Sequence, residues 1–325
     1  MQRRVWISCV AATSAGLLGA GGRTLAADAF PSRPIRVVLP FAAGSGTDNI
    51  ARALMSRVSA ATKWTLVLDN KAGANGIIAA QEVKRAAPDG YTIFYSGNTT
   101  HGANSMLYKS LPYDPEADFE PITRIGVFPL VLLTRPNFGA ADAAALVRAA
   151  RERSGQVSFA TSSAGPRVAL ENLQHESGTK FNHIPYKASP QALSDLMGGQ
   201  IDAMFLDSVS SLPMIRAGSV KALAVTSRQR LSMLSEVPTM VEAGYSDFEV
   251  LNWSAIFVPH GTPQAIRDTF YKAFADVVAS SDWKRYVAEL GGYADTMTPK
   301  ETAAWVRGEI RAYRETLSRA GVRPE

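Results

Sequence analysis

Short β-branched runs punctuate the chain, each ending in a turn of small residues and followed by apolar residues at helical spacing. Ile35-Arg36-Val37-Val38-Leu39 sets the pattern: it is brief, apolar and stopped by Pro40, which reads as a buried strand. A glycine-rich turn follows, and Ile50, Ala51, Leu54, Met55 and Val58 then recur with the period of a helix face. Thr65-Leu66-Val67-Leu68, a turn at Gly73-Ala74-Asn75-Gly76 and a helix through Ile77, Ala80 and Val83 repeat the unit. Pro88-Asp89-Gly90 turns the chain into a third strand, Tyr91-Thr92-Ile93-Phe94-Tyr95. Strands alternating with helices predict a parallel sheet covered on both faces.

A second series of similar size begins at Leu130-Val131-Leu132-Leu133-Thr134, with a helix over residues 142–153. Val157-Ser158-Phe159-Ala160-Thr161 precedes a helix through Val168, Leu170 and Leu173, and Ile184-Pro185-Tyr186 precedes one through Ala192, Leu193 and Leu196. Strands at 201–206 and 220–225 complete the set. Residues 227–252 are irregular and carry the chain back to a strand at 253–258. Pro263 opens a long amphipathic helix through Ile266, Phe270, Phe274 and Val277, and a last helix after Pro299 carries Trp305, Ile310, Tyr313 and Leu317. The expected division is therefore a discontinuous first lobe (28–128 and 252–325) and a second lobe (129–251). Phe270, Tyr271, Phe274, Trp283 and Tyr286 are expected to pack as core or surface aromatics at helical spacing.

Ahead of the first unit, Arg3 and Arg4 precede an apolar run from Val5 to Ala20, and Thr24-Leu25-Ala26-Ala27 offers a cleavage site before Asp28. Charge, apolar core and small residues in that order predict a secretory signal peptide over 1–27. The run is shorter than the roughly 20 residues that span a bilayer, so a signal is favoured over an anchor. Gln2-Arg3-Arg4-Val5-Trp6-Ile7 loosely resembles a twin-arginine signal, which leaves both export routes open. The chain's one cysteine, Cys9, falls inside this segment. The exported chain of about 300 residues would hold no thiol, so disulfides, thiolate metal sites and a cysteine nucleophile are not expected. Losing Arg3, Arg4 and Arg23 takes the formal charge from +5 to about +2, which argues against nucleic acid as a partner.

Pro40-Phe41-Ala42-Ala43-Gly44-Ser45-Gly46-Thr47-Asp48-Asn49 carries the strongest chemical signal. Between a strand and a helix, its glycines turn the backbone sharply and expose consecutive N–H groups at the helix's positive end, forming an anion cradle. Asp48 is discordant there: a carboxylate opposes a bound anion, so it either caps the helix or accepts from a ligand amine or hydroxyl. A dinucleotide loop is disfavoured because Asn49 replaces the third glycine and no phosphate-loop lysine is present. Alone such a turn is a weak signal. Thr161-Ser162-Ser163-Ala164-Gly165-Pro166 matches it in the second series, and Ser96-Gly97-Asn98-Thr99-Thr100-His101 and Tyr186-Lys187-Ala188-Ser189-Pro190 end further strands. Ligands of open α/β sheets sit beyond the carboxyl ends of strands, so these turns are expected to face one another across a cleft.

Several segments resemble one family in order along nearly the whole chain. They are Pro40-Phe41 through Asp48, Asn70-Lys71-Ala72-Gly73-Ala74-Asn75-Gly76, Pro88-Asp89-Gly90-Tyr91-Thr92 and Pro185-Tyr186-Lys187-Ala188-Ser189. Asp195 through Asp202, Pro238-Thr239 with Glu242-Ala243-Gly244-Tyr245, and Pro259-His260-Gly261-Thr262-Pro263 continue the series. The chain resembles the periplasmic solute receptors of tripartite tricarboxylate transporters, often called Bug-type receptors. The resemblance implies a type II periplasmic-binding-protein fold with two Rossmann-like lobes around a ligand cleft. It also implies a ligand carboxylate held mainly by backbone amides and ordered waters. Ser45 stands where the family usually has glycine, and Ala188 replaces the glycine after Tyr-Lys. Gly165-Pro166-Arg167 replaces a Gly-Ser-x-His pattern, so a histidine is lost and Arg167 gained. Arg167 either pairs with a second acidic group on the ligand or sits solvated on the helix.

The expected ligand contacts in the first lobe are Phe41, Ala43, Gly44, Ser45, Gly46, Thr47, Asp48, Ser96, Asn98 and His101. Those in the second are Thr161, Ser162, Ala164, Gly165, Arg167, Tyr186, Lys187, Ala188 and Asp207, the last either touching ligand or capping a helix. His101, His175, His183 and His260 lack metal-ligand spacing, so neither metal nor cofactor is expected. No G-x-S-x-G elbow and no paired nucleophile and base occur, which disfavours an enzyme. The expected protein is a monomeric, periplasmic receptor that captures a small organic acid for membrane transporter components without itself spanning the membrane. A sensory subunit presenting ligand to a membrane kinase is the alternative, and a periplasmic enzyme a less favoured one.

Overall fold

The computed structural model describes residues 30–325 apart from 154, 320, 323 and 325; the segment read as an export signal lies outside the described residues. Strand β1 (Ile35–Leu39) lies between β2 (Leu66–Asn70) and β3 (Thr92–Gly97) and runs parallel to both. Helix α1 (Gly46–Thr62) joins β1 to β2, and α2 (Ile77–Lys84) joins β2 to β3. Side chains of β1 alternate between the two layers. Ile35, Val37 and Leu39 pack with Ile50, Leu54 and Val58 of α1, whereas Val38 packs with Ala79, Ala80 and Val83 of α2. A strand covered on both faces needs apolar residues at nearly every position, which is why its sequence does not alternate.

A π-helical turn (Thr99–Ala103) and the short α3 (Asn104–Leu107) follow β3 and lead to β4 (Phe119–Thr134), the longest strand. Strand β4 crosses from one lobe to the other. Up to Pro129 it pairs antiparallel with β9 (Leu251–Pro259), which also pairs antiparallel with β3. From Leu130 to Thr134 it pairs instead with β7 (Ala203–Asp207) and β8 (Lys221–Val225). Strand β5 (Ser158–Thr161) lies parallel to β7 and to β6 (Asn182–Pro185). The nine-stranded order is β2-β1-β3-β9-β4-β7-β5-β6, with β8 against β4.

Pairing is thus parallel only toward the outer strands. The expected wholly parallel sheet gives way at the centre, because the chain enters the second lobe along β4 and returns along β9 in the opposite sense. Two further differences have local causes. Pro121, Gly126 and Pro129 hide the first part of β4 in the sequence; bulges between Pro121 and Thr123 and between Arg124 and Gly126 accommodate the first two. Helix α8 (Gln264–Ala279) begins after Pro263 as expected, but a further helix, α9 (Ser281–Glu289), follows it at once. Ser280 ends α8 and caps α9 by accepting from the Trp283 amide.

In the second lobe, α4 (Ala143–Glu152) and α5 (Ala164–Ser177) cover Leu130, Leu132, Phe159 and Phe205. Val131, Leu133, Met204 and Leu206 point to the other face, beneath α6 (Ser189–Met197) and α7 (Ser208–Arg216). Helix α10 (Pro299–Arg319) serves both lobes. Its Val306 and Ile310 pack with Trp253 and Phe257 of the first-lobe strand β9, while Tyr313 and Leu317 join the core beneath α5. Each fully buried side chain of this size contributes about 1.5–3 kcal/mol, so the helix ties the lobes together strongly at its midpoint.

Candidate functional site

The loop after β1 is braced from behind by Asp48, which is only 2% exposed. Its carboxylate accepts from the Gly44 amide (2.9 Å), Arg52 Nε (2.8 Å) and Asn70 Nδ2 (3.0 Å). Burial works against its charge, but Arg52, the Gly44 amide and Asn70 outweigh it and hold the carboxyl below its usual range. Asn70 also donates to the Phe41 carbonyl, so the end of β2 clamps the turn. Ser45 uses its hydroxyl to cap α1 at the Asp48 amide (3.3 Å), and its carbonyl accepts from Asn49. The Gly46 and Thr47 amides meet no acceptor among the described residues, and both residues line a pocket between the lobes. The discordance of Asp48 is thereby removed: it holds the turn and lies off the pocket.

That inner pocket is lined from the first lobe by Phe41, Ser45, Gly46, Thr47, Ser96 and Asn98, and from the second by Ser162, Lys187, Ala188 and Asp207. Asn98 donates to Asn252 Oδ1 (3.0 Å) and to the Tyr313 hydroxyl (3.1 Å). Gly165 sits against the same pair, since a Cβ there would overlap Asn252 Oδ1. Asp207 ends β7 and caps α7 by accepting from the Ser210 amide (2.8 Å). Burial pushes its carboxyl up.

A second, wider chamber continues from the first past Phe41, Ser162 and Lys187. Thr161, Ala164, Arg167 and Tyr186 belong to this outer part. Arg167 pairs with Glu171 (2.7 Å) and touches His183, whose Nε2 is 2.7 Å from Thr161 Oγ1. Burial and then the Arg167 charge push His183 down to about 4. The Tyr186 hydroxyl donates to Asp195 (2.7 Å).

His101, Ala43 and Gly44 do not line either chamber. His101 is fully buried behind the wall formed by Ser96 and Thr100, and burial pushes it down to about 3. Ala43 and Gly44 are exposed on the outer side of the turn. Thr100, in the strand-end segment already singled out, also lines the inner pocket, as do Phe128, Asn252 and Ser254, to which no signal in the sequence pointed. Asn252 and Ser254 stand at the beginning of β9, and an antiparallel strand brings its amino end to the side where parallel strands bring their carboxyl ends. Among the described residues no group of three metal-ligating side chains occurs, and no helix is long and apolar enough to cross a membrane.

Two α/β lobes joined by crossing strands, with loop ends converging on a pocket between them, define a two-lobed solute-binding protein. The chain belongs to the tripartite tricarboxylate transporter family of receptors, whose model matches residues 50–319. It is 32% identical over 302 residues to protein BugT of Bordetella pertussis, covering 92% of this chain and 93% of that one. The structure of R. palustris Rpa4515 with adipate matches it with a TM-score of 0.89 at 29% identity, over 91% of this chain and all of the other. MatC from Rhodopseudomonas palustris with bound malate gives 0.84, also at 29%, over 89% of this chain and 100% of its own. Family and fold are those of periplasmic solute-binding receptors, which are not enzymes.

Proposed function

We propose that the protein captures a small carboxylate between its lobes and delivers it to the membrane components of a tripartite tricarboxylate-type transporter. One observation carries this reading: the unpaired Gly46 and Thr47 amides stand at the positive end of α1 in the wall of the inter-lobe pocket. The adipate of Rpa4515 and the malate of MatC, both small carboxylates on the same fold, support it. The carboxylate is assigned to the inner pocket, against Phe41, Ser45, Gly46, Thr47, Ser96 and Asn98, with Ser162, Lys187, Ala188 and Asp207 opposite. The remainder of a longer ligand extends toward Thr161, Ala164, Arg167 and Tyr186. Ala43, Gly44 and Gly165 shape the backbone without touching the ligand through a side chain.

Neutral loops suffice for this task. Hydrogen bonds to a charged group contribute roughly 1.5–3 kcal/mol each, so three or four approach the about −8 kcal/mol of a micromolar ligand after ordering costs. The working division is a first lobe of 28–128 and 252–325 and a second of 129–251, acting as a monomer after removal of residues 1–27 during export. A thermal-shift panel of organic acids, sugars and amines on the purified mature protein tests the function. Carboxylates alone are expected to raise Tm with concentration. A panel in which no acid raises it, or in which sugars do so equally, overturns the reading.

A further inference from the structure

Asp207 and Lys187 are the two charged side chains among the described residues that line the inner pocket. Lys187 is exposed and carries no ion pair or hydrogen bond among the described residues. Asp207 differs. It is half-buried, and its Oδ1 is engaged by the Ser210 amide, with the Ser210 hydroxyl close by. Its Oδ2 accepts nothing among the described residues although the side chain opens on the pocket. The other acidic residue at these strand ends, Asp48, is fully spent on Gly44, Arg52 and Asn70. Asp207 is therefore an acceptor with capacity left on its pocket side, in a site that receives an acid.

Its position is also constrained. The carboxylate reaches across from the second lobe until Oδ1 abuts the Gly46 Cα, since a Cβ on that glycine would overlap it. The Gly46 amide that awaits a ligand carboxylate is one bond from the same atom. Groups read by the α1 amides and by Asp207 must then lie on the same or neighbouring ligand carbons. A plain carboxylate placed there would stand beside a second, half-buried carboxylate, and the α1 amides and the exposed Lys187 offset only part of the repulsion. A donor on the adjacent carbon relieves it and fills the empty lone pairs of Oδ2.

We propose that Asp207 is a specificity-determining residue that selects acids carrying a hydrogen-bond donor on the carbon next to the carboxylate, as a hydroxyl or an ammonium group. The inference rests on the carboxylate-receptor reading and sharpens it. A site built around an acceptor that faces the pocket rejects the analogue that leaves it unpaired more strongly than a pocket rejects a missing methylene. The discrimination expected is roughly ten- to hundredfold in affinity.

The test is calorimetry of the full mature chain and of Asp207→Ser against matched trios of acids. Serine keeps a helix cap for the Ser210 amide while removing the carboxylate, so the fold survives the change. The trios are succinate, malate and aspartate; glutarate, 2-hydroxyglutarate and glutamate; and phenylacetate, mandelate and phenylglycine. In at least one trio the parent should bind a substituted acid at least about tenfold more tightly than the plain one. Asp207→Ser should compress that ratio to within about threefold, chiefly by improving the plain acid. Which substituted acid leads identifies the donor as hydroxyl or ammonium. Equal binding within every trio, or a ratio that survives in Asp207→Ser, overturns the role of Asp207 while the receptor reading stands. Absence of binding by every acid in the three trios overturns both.

Discussion

His101 lies flat on Phe257, with ring centroids 3.7 Å apart and planes 10° from parallel. Phe94 and Phe119 close around the same imidazole, and its Nδ1 is 3.0 Å from Thr100 Oγ1, which in turn bonds Ser96. The histidine is therefore a support behind two pocket-lining hydroxyls. Its Nε2 meets no partner among the described residues, and burial pushes its pKa down to about 3 from 6.5. The unfolded chain takes up a proton that the folded one refuses, so stability present above pH 6.5 is lost as pH falls toward 3. At pH 5 the loss from this residue is about 2 kcal/mol. Urea unfolding at pH 7.5 and pH 5 should show a smaller drop for His101→Phe than for the parent. Equal drops would mean that this imidazole does not stay neutral in the fold.

Asp48→Ala should destabilise the protein by about 2–4 kcal/mol, because it strips acceptors from the Gly44 amide and Asn70 and leaves the turn after β1 unclamped. Affinity should fall as well, since Gly46 and Thr47 then lose their fixed direction. As the folded carboxyl is held below its unfolded value of 3.8, its contribution is complete above about pH 4 and disappears as pH falls through the folded value. Denaturant midpoints of parent and variant should therefore converge in acid. A variant as stable as the parent at pH 7 would remove Asp48 from the brace.

Much of this arrangement is legible in the residues, and the gaps have physical reasons. The strands at β1, β3 and β5 announce themselves because burial on both faces demands continuous apolar runs. The glycines that follow β1 announce its turn. Proximity across the cleft is another matter. Asp48 and Asp207 both stand near strand ends, yet one is spent on Arg52 and Asn70 and the other opens on the pocket. Which way each points depends on the rotation of α1 and on partners distant in sequence. Asn252 and Ser254 were hidden by direction: strand β9 was expected, but its antiparallel sense was not. Serine at 280 conceals the break between α8 and α9, where glycine or proline would have marked it.

Gly46 is constrained by proximity. Its backbone φ needs no glycine, but any Cβ would overlap the Asp207 carboxylate held by the Ser210 amide. Gly46→Ala should therefore lower affinity for a bound acid tenfold or more while shifting Tm little, because the lobes can relieve the overlap by moving apart. The same substitution on an Asp207→Ser background should cost less, since the colliding oxygen is gone. Calorimetry on the four proteins reads the coupling directly. Additive losses would place the origin of the effect elsewhere in the turn.

Export processing is checked apart from the fold. Arg3, Arg4 and the apolar run to Ala20 predict a mature chain that begins within a few residues of Asp28. N-terminal sequencing of the protein recovered from a periplasmic extract reads the point of cleavage. Recovery of Met1 on that fraction would refute the assignment.

Arg167 stands at the mouth of the outer chamber, between Glu171 on its own helix and His183 on β6. Glu171 already neutralises much of its charge, so a second ligand carboxylate would share the guanidinium with it. Arg167→Ala should weaken a dicarboxylate by roughly tenfold, through the loss of a charge-assisted hydrogen bond. A monocarboxylate of the same framework ends in the inner pocket and should bind the variant as it binds the parent. An independent readout comes from His183, held near 4 by burial and by this arginine. Removing the positive charge eliminates the second cause while burial remains, so the imidazole should titrate at a higher pH yet still below 6.5. NMR titration of His183 in the empty protein confirms that the variant is folded and that the pair existed. If the histidine moves and both ligands keep their affinities, Arg167 belongs to the wall of the chamber alone. If both ligands weaken equally, the substitution has disturbed the start of α5, and the second carboxylate has no partner there.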